Sequence, residues 1–183
     1  MSGIGTINMS FMLMLICNKY KISKIINYGL SGGYEEDINT GDIIVGRECM
    51  NINSYTTKKS KNVDISNLEF KTFDEDRDEL VIYNADKTLL DEVVKSNNNI
   101  KIGRLGSGDV WNKEHDKIKL LNKKYNILCE DMESIAVYQI SNKLNIPSIS
   151  IRGISNNEIL NQEYDKNVIN KLVDFVYNYI NLI

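Results

Sequence analysis

Short apolar strands alternating with helical segments predict an α/β domain built on a mostly parallel sheet. Two observations carry this. Apolar runs such as Ile25-Ile26 and Ile43-Ile44-Val45 are too short for core helices and run into glycine. Between such runs lie segments with apolar residues at helical spacing, the clearest being Val168, Leu172, Phe175, Val176 and Tyr179.

Gly3 and Gly5 form a flexible lead-in to a helix over 7–20. Residues 24–28 read as a buried strand running into Gly29-Leu30-Ser31-Gly32-Gly33, and 42–45 as a second strand bounded by Gly41 and Gly46. Residues 51–76 are polar and weakly periodic, a long connection with one strand towards its end. Leu89, Leu90, Val93 and Val94 set a helix over 84–96, with Asp86 near its start. A strand over 99–105 leads into Gly106-Ser107-Gly108-Asp109. A helix over 116–124, a short strand over 127–129, a helix over 132–144, a strand over 147–151 and an amphipathic helix over 168–180 complete the chain. No repeat, low-complexity tract or linker divides it, so the expectation is one domain over residues 1–183.

The 183 residues are enough to bury a sizeable core, and 42% hydrophobic with 26% charged residues are ordinary globular values. A net charge of −3 gives no electrostatic case for nucleic acid or an anionic membrane. Cys17, Cys49 and Cys129 cannot all pair and lack metal-ligand spacing, so no metal site is expected; they read as small core residues in a reducing compartment. The most apolar run, Ser10 to Cys17, falls far short of the roughly 20 residues that span a bilayer and lacks the flanks of a signal peptide. The expected compartment is the cytoplasm. His115, the sole histidine, is expected on a surface loop rather than as a general base.

Three strand-end segments could carry chemistry, because ligands of open α/β sheets sit beyond the carboxyl ends of the strands. Gly29 to Gly33 has neither the dinucleotide nor the phosphate-loop spacing, and reads as a structural turn or as a backbone that lets a ligand approach. Trp111, the only tryptophan, follows Ser107-Gly108-Asp109-Val110 and is either a platform for a flat heterocycle or a core plug. Asp131 and Glu133 could cap a helix, or Glu133 could accept vicinal hydroxyls; Arg152, before Gly153-Ile154-Ser155-Asn156, either orients Glu133 or pairs at the surface.

Taken in order, these segments resemble the nucleoside phosphorylase superfamily, and within it the methylthioadenosine/S-adenosylhomocysteine nucleosidases. Ser2-Gly3-Ile4-Gly5 resembles their turn before a helix, and Ile26 to Gly33 their Ile-Asn-Thr-Gly-Ser-Ala-Gly-Gly. Gly41-Asp42-Ile43-Ile44-Val45 is similar to Gly-Asp-Val-Val-Val, and Ser107 to Trp111 to Ser-Gly-Asp-x-Phe. Asp131-Met132-Glu133-Ser134 stands for Glu-Met-Glu-Ala, and Pro147 to Asn156 for a strand ending Arg-Ala-Ile-Ser-Asp. The resemblance implies a three-layer α/β/α sandwich of the nucleoside phosphorylase/hydrolase type, with a mixed, mostly parallel sheet lacking the first strands. It implies a purine nucleoside as ligand, no cofactor, and a homodimer. Trp111 would stack on the base, with Val110 or Trp111 backbone at the base edge. Met132 would lie against the ribose and Glu133 would accept its hydroxyls. Ser155 and Asn156 would face the purine N7, supported by Gly32, Asp131 and Arg152.

The resemblance also bears on the reaction. Phosphorylases similar to this segment carry an arginine at the place of Asn27 and a serine at the place of Leu30. A phosphate dianion needs such charge-assisted donors, so hydrolysis is favoured over phosphorolysis. Two departures weaken turnover. The nucleosidases protonate N7 with an aspartate where this chain has Asn156, and an amide is no general acid; it can hydrogen-bond N7 or a 6-oxo group. The glutamate that activates water in the family precedes the Ser-Gly-Ile-Gly turn, at which this chain begins. The expectation is a purine nucleosidase acting on methylthioadenosine, S-adenosylhomocysteine or a relative, with a catalytically weak or silent nucleoside binder as the alternative and a phosphorylase as a third reading.

Overall fold

The computed structural model describes residues 2–56, 59, 69–70, 81–96 and 100–182. Its helices are α1 (Thr6–Lys19), α2 (Lys87–Ser96), α3 (His115–Tyr125), α4 (Ser134–Lys143) and α5 (Val168–Ile180). Its strands are β1 (Ile25–Gly33), β2 (Ile43–Asn51), β3 (Tyr55–Thr56), β4 (Glu69–Phe70), β5 (Tyr83–Asn84), β6 (Lys101–Ser107), β7 (Ile127–Asp131) and β8 (Ser148–Asn157). The main sheet runs β5-β2-β6-β7-β1-β8, and β2 also pairs with β8. The mixed α/β fold is therefore present, and its sheet curls until five strands close a ring. β1–β8, β2–β6 and β6–β7 are parallel; β1–β7, β2–β5 and β2–β8 are antiparallel.

Three apolar clusters hold the layers together. Val45, Ile149 and Ile151 meet Leu89 and Val93 of α2 and Leu172, Val176 and Tyr179 of α5. The inward stripe of α5 read from the sequence thus lies where expected, except that Phe175 is only partly buried. Ile44, Cys49, Leu105, Cys129 and Ile154 face Ile135 and Tyr138 of α4, and Ile118 and Leu121 of α3 pack on Met50 and Ile127.

Several boundaries move, each for a local reason. The expected loops Gly29 to Gly33 and Arg152 to Asn156 are strand: β1 and β8 pair in parallel from Ile25↔Ser148 to Gly33↔Asn157, with a bulge at Ser31/Gly32. The helix expected from residue 84 starts at Lys87, because Asp86 Oδ1 accepts the Leu89 N–H at 3.0 Å and caps it, while Tyr83 and Asn84 join β2. Met132 and Glu133 precede α4, because Asp131 Oδ1 takes the N–H of Glu133 at 2.8 Å and of Ser134 at 2.7 Å. His115 is exposed but opens α3 rather than sitting in a loop. Of the long 51–76 connection, Tyr55–Thr56 pairs with Glu69–Phe70. The rest of it, apart from residues 51–54 and 59, and residue 99 of the expected strand, lie outside the described residues.

Among the described residues no helix is long and apolar enough to cross a membrane.

Candidate active site

The parallel run of β1 beside β8 sets the floor of one cavity of about 840 Å³, within the range of small-ligand sites. All three strand-end segments singled out in the sequence reach it. Gly29 to Gly32, Val110, Trp111, Asp131, Met132, Glu133, Arg152, Ser155 and Asn156 all line it. Trp111 and Asn156 share this one cavity, and Trp111 is 43% exposed at its rim, which rules out the core plug.

Arg152 is the centre of one end. Its guanidinium is 1% exposed and lies across β1, where a Cβ on Gly29 would come within 2.4 Å of Nη1. Glycine at 29 is thus what admits the arginine. Nε and Nη2 donate to Ser134 Oγ at 3.2 and 2.9 Å, and Nη1 to Glu133 Oε2 at 3.4 Å. Asp131 Oδ2 lies 3.0 Å from Nε but receives no hydrogen bond, since the single Nε proton is directed to Ser134. The surface-pair reading of Arg152 is excluded. Asp131 does cap α4, through its Oδ1, which also accepts from Ser107 Oγ at 2.8 Å.

Glu133 is held between unlike partners. Its Oε1 accepts the Gly5 N–H at 3.0 Å while Oε2 faces Arg152, and its side chain stays 16% exposed to the cavity. The lead-in turn is fixed a second time by Asp109, whose Oδ1 accepts the Thr6 N–H at 2.6 Å and its hydroxyl at 2.9 Å. The N-terminus of α1 is thereby capped from the Trp111 loop, a favourable place for a carboxylate.

The other end carries Asn156. Its Nδ2 donates to Glu158 Oε1 at 3.2 Å and its Oδ1 accepts from Ser155 Oγ at 3.0 Å. The same Glu158 oxygen accepts the Trp111 indole N–H at 3.2 Å, and the Trp111 and Tyr164 rings tilt together at 5.7 Å. Glu158 and Tyr164 were not legible as site residues, since both follow the last motif.

Glu130 was also missed, because the strand was expected to stop at Cys129. It is 5% exposed and lines the cavity. Its Oε1 accepts the Asn112 N–H at 2.8 Å; its Oε2 accepts from Tyr34 Oη and Asn112 Nδ2, both at 2.5 Å. Burial lifts this carboxyl from the ordinary range to about 7, against the pull of those hydrogen bonds and of the Lys117 charge. The signal available was an acid directly before Asp131, with no spacing rule to interpret it. Among the described residues no cluster of histidine, cysteine and carboxylates could hold a metal ion.

The fold and site define an α/β protein with a small-molecule cavity at the ends of β1, β7 and β8, aromatic at one end and ionic at the other. The chain belongs to the Phosphorylase superfamily, whose profile matches residues 1–180. It is 25% identical over 160 residues to a 5′-methylthioadenosine/S-adenosylhomocysteine nucleosidase of Bacillus cytotoxicus, covering 84% of this chain and 65% of that protein. The chain thus spans just under two thirds of the relative's length. It superposes with a TM-score of 0.83 on the corresponding nucleosidase of Helicobacter pylori bound to butyl-thio-DADMe-Immucillin-A, at 17% identity, covering 100% of this chain and 78% of that one. A futalosine hydrolase mutant of Helicobacter pylori matches with a TM-score of 0.79 at 16% identity, covering 100% and 79%. At such identities the structural likeness speaks for the fold.

Proposed function

We propose that the chain is a purine nucleosidase that hydrolyses the N-glycosidic bond of methylthioadenosine, S-adenosylhomocysteine or a related nucleoside. The observation that carries this is one cavity with Trp111 and Asn156 at one end and the Glu133–Arg152 pair at the other. In this reading Trp111 stacks on the base and Val110 meets its edge. Ser155 and Asn156 face N7, Met132 lies under the ribose, and Glu133 accepts the ribose hydroxyls. Gly32, Asp131 and Arg152 support them. Ile4, Met9 and Val173 along the remaining wall suit an apolar 5′ substituent. The relatives named above support it, one of them a methylthioadenosine/S-adenosylhomocysteine nucleosidase by sequence.

Hydrolysis is preferred to phosphorolysis on charge. Arg152 is the single cation among the described residues lining the cavity, and it is engaged by Glu133, Asp131 and Ser134. Asn27 donates inward to Ser150 Oγ at 3.0 Å. A phosphate dianion would find no free charged donor there. A second reading, a nucleoside binder of little activity, is favoured by Asn156, whose amide has no proton to give the leaving base. Release of adenine or hypoxanthine from their nucleosides, with and without phosphate, decides among the three. Phosphate-dependent cleavage ends the hydrolase reading, and tight binding without cleavage selects the silent one.

The single-domain organisation, a cytoplasmic location and a homodimer belong to the same proposal. Ile7, Phe11 and Leu15 form an exposed apolar stripe along α1, 81%, 66% and 50% exposed, which a second copy would cover. Light scattering that returns only monomer at micromolar concentration would remove the dimer.

A further inference from the structure

The loop between β6 and α3 carries Val110 and Trp111 to the cavity; Asp109 ties it to Thr6 and the Trp111 indole ties it to Glu158, and its one buried side-chain anchor is Asn112. Residues 109–111 and 113–114 are exposed, and Asn112 alone among them is buried, at 4%. All of the hydrogen bonds that fix Asn112 converge on one cluster. Its backbone N–H and its Nδ2 go to the two oxygens of Glu130, and Nδ2 also reaches Tyr34 Oη at 3.0 Å. Tyr34 in turn donates to Glu130. The triangle of Tyr34, Asn112 and Glu130 draws on β1's end, the loop and β7. It is closed on itself and touches neither Glu133 nor Arg152.

We propose that Glu130 is the positioning residue of this site: its carboxylate clamps the Trp111 loop against the cavity through Asn112, and the clamp loosens when Glu130 is neutral. This rests on the reading of the cavity as a purine nucleoside site, and adds to it a residue that acts through Trp111 rather than on the ligand. The physical case is an asymmetry. A neutral amide at 130 would bury more cheaply, because an ionised carboxylate loses its hydration. What the carboxylate adds is acceptor strength on both oxygens towards three donors, which roughly doubles each bond relative to a neutral pair. Its burial puts the change of charge near neutrality. The charged and titratable groups facing it are Tyr34, Lys117 of α3, and Cys129 on its own strand.

Trp111 is the sole tryptophan, so intrinsic fluorescence reports the loop directly, without ligand. The expected result is a single emission change in the unliganded protein between pH 5 and 9, centred at about 7. Glu130→Gln should abolish it, and His115→Gln, which alters the histidine beyond the same loop, should leave it in place. If Glu130→Gln does not fold, as judged by far-UV circular dichroism, Tyr34→Phe serves instead. Removing a donor that favours the charged form should move the midpoint upward. With 5′-methylthioadenosine as the probe, wild-type affinity should fall about tenfold from pH 8 to pH 6, the loss typical of a charge-assisted bond made neutral. Where turnover is measurable, KM should move more than kcat. An emission that is flat from pH 5 to 9 overturns the proposal, as does a transition that survives Glu130→Gln or ignores Tyr34→Phe. A transition that behaves as described while no purine nucleoside binds leaves the clamp standing and ends the nucleoside reading.

Discussion

Glu133 and Asn156 occupy opposite ends of the cavity and fail in opposite ways when changed. Glu133→Gln keeps the shape but removes the charge that faces Arg152 and would strengthen bonds from two ribose hydroxyls. The expected loss is about 1.5–3 kcal/mol of ribonucleoside binding, read by calorimetry. A 2′,3′-dideoxy analogue should be indifferent to the change; equal sensitivity of both ligands would refute the ribose role. Asn156 owes its orientation to Glu158, for a hydroxyl such as Ser155 Oγ can donate or accept, whereas a carboxylate only accepts. Asn156→Asp would therefore set two carboxyls side by side, and like charges so close keep one of them protonated near neutrality. That proton is what N7 lacks. Adenine release should rise by about 10²-fold or more if the rest of the site is competent, and fall back in the double variant with Glu158→Gln. No gain over wild type would mean that protonation of the base is not what limits turnover.

At the scale of elements, the strands and helices that carry the motifs were legible, and their ends were not. The spacing of Val168, Leu172, Val176 and Tyr179 placed α5 because burial on one helical face leaves a direct imprint on sequence. β8 was harder to delimit. Ser148, Ser150 and Arg152 alternate with Ile149 and Ile151 as in a half-exposed strand, yet all ten residues of β8 are buried. The polar face is satisfied inside: Ser148 meets Ser141 at 2.6 Å, Ser150 meets Asn27, and Arg152 meets Ser134 on α4. Glu130, Glu158 and Asn112 escaped notice for a related reason. Their roles depend on partners far apart in sequence, Tyr34 being 96 positions from Glu130. The same β1–β8 register gives a test of the arginine's seat. Gly29→Ala puts a methyl where Nη1 lies, so Arg152 must shift, at a cost of about 1–3 kcal/mol in a packed interior. Urea denaturation measures it; unchanged stability together with unchanged ligand binding would mean that the guanidinium is free to move.

For the whole molecule, Glu130 links the site to stability. Its folded value of about 7 lies above the ordinary 4.5, so the native state holds the proton more tightly than the unfolded chain. The contribution is complete below about 4.5, is lost as pH rises towards 7, and is level above that. Glu130→Gln should accordingly flatten this part of the pH–stability curve. It should gain on wild type at pH 8 relative to pH 4.5 by on the order of 3 kcal/mol, while the loop becomes looser. A parallel pair of curves would show that the carboxyl is not buried as described.

The closure of β2 on β8 has a dynamic consequence. A strand at the rim of an open sheet can peel away alone, whereas a stave with neighbours on both sides opens only when the ring breaks. From Ser150 to Gly153, β8 is bound to β1 on one side and to β2 on the other. Its amide hydrogens in that stretch should be among the last to exchange with deuterium, on the timescale of global unfolding. Arg152 would then ride on the least yielding part of the chain, while Trp111 sits on an exposed loop held by side-chain bonds, so that a ligand meets one wall of doubly paired strand and one of loop.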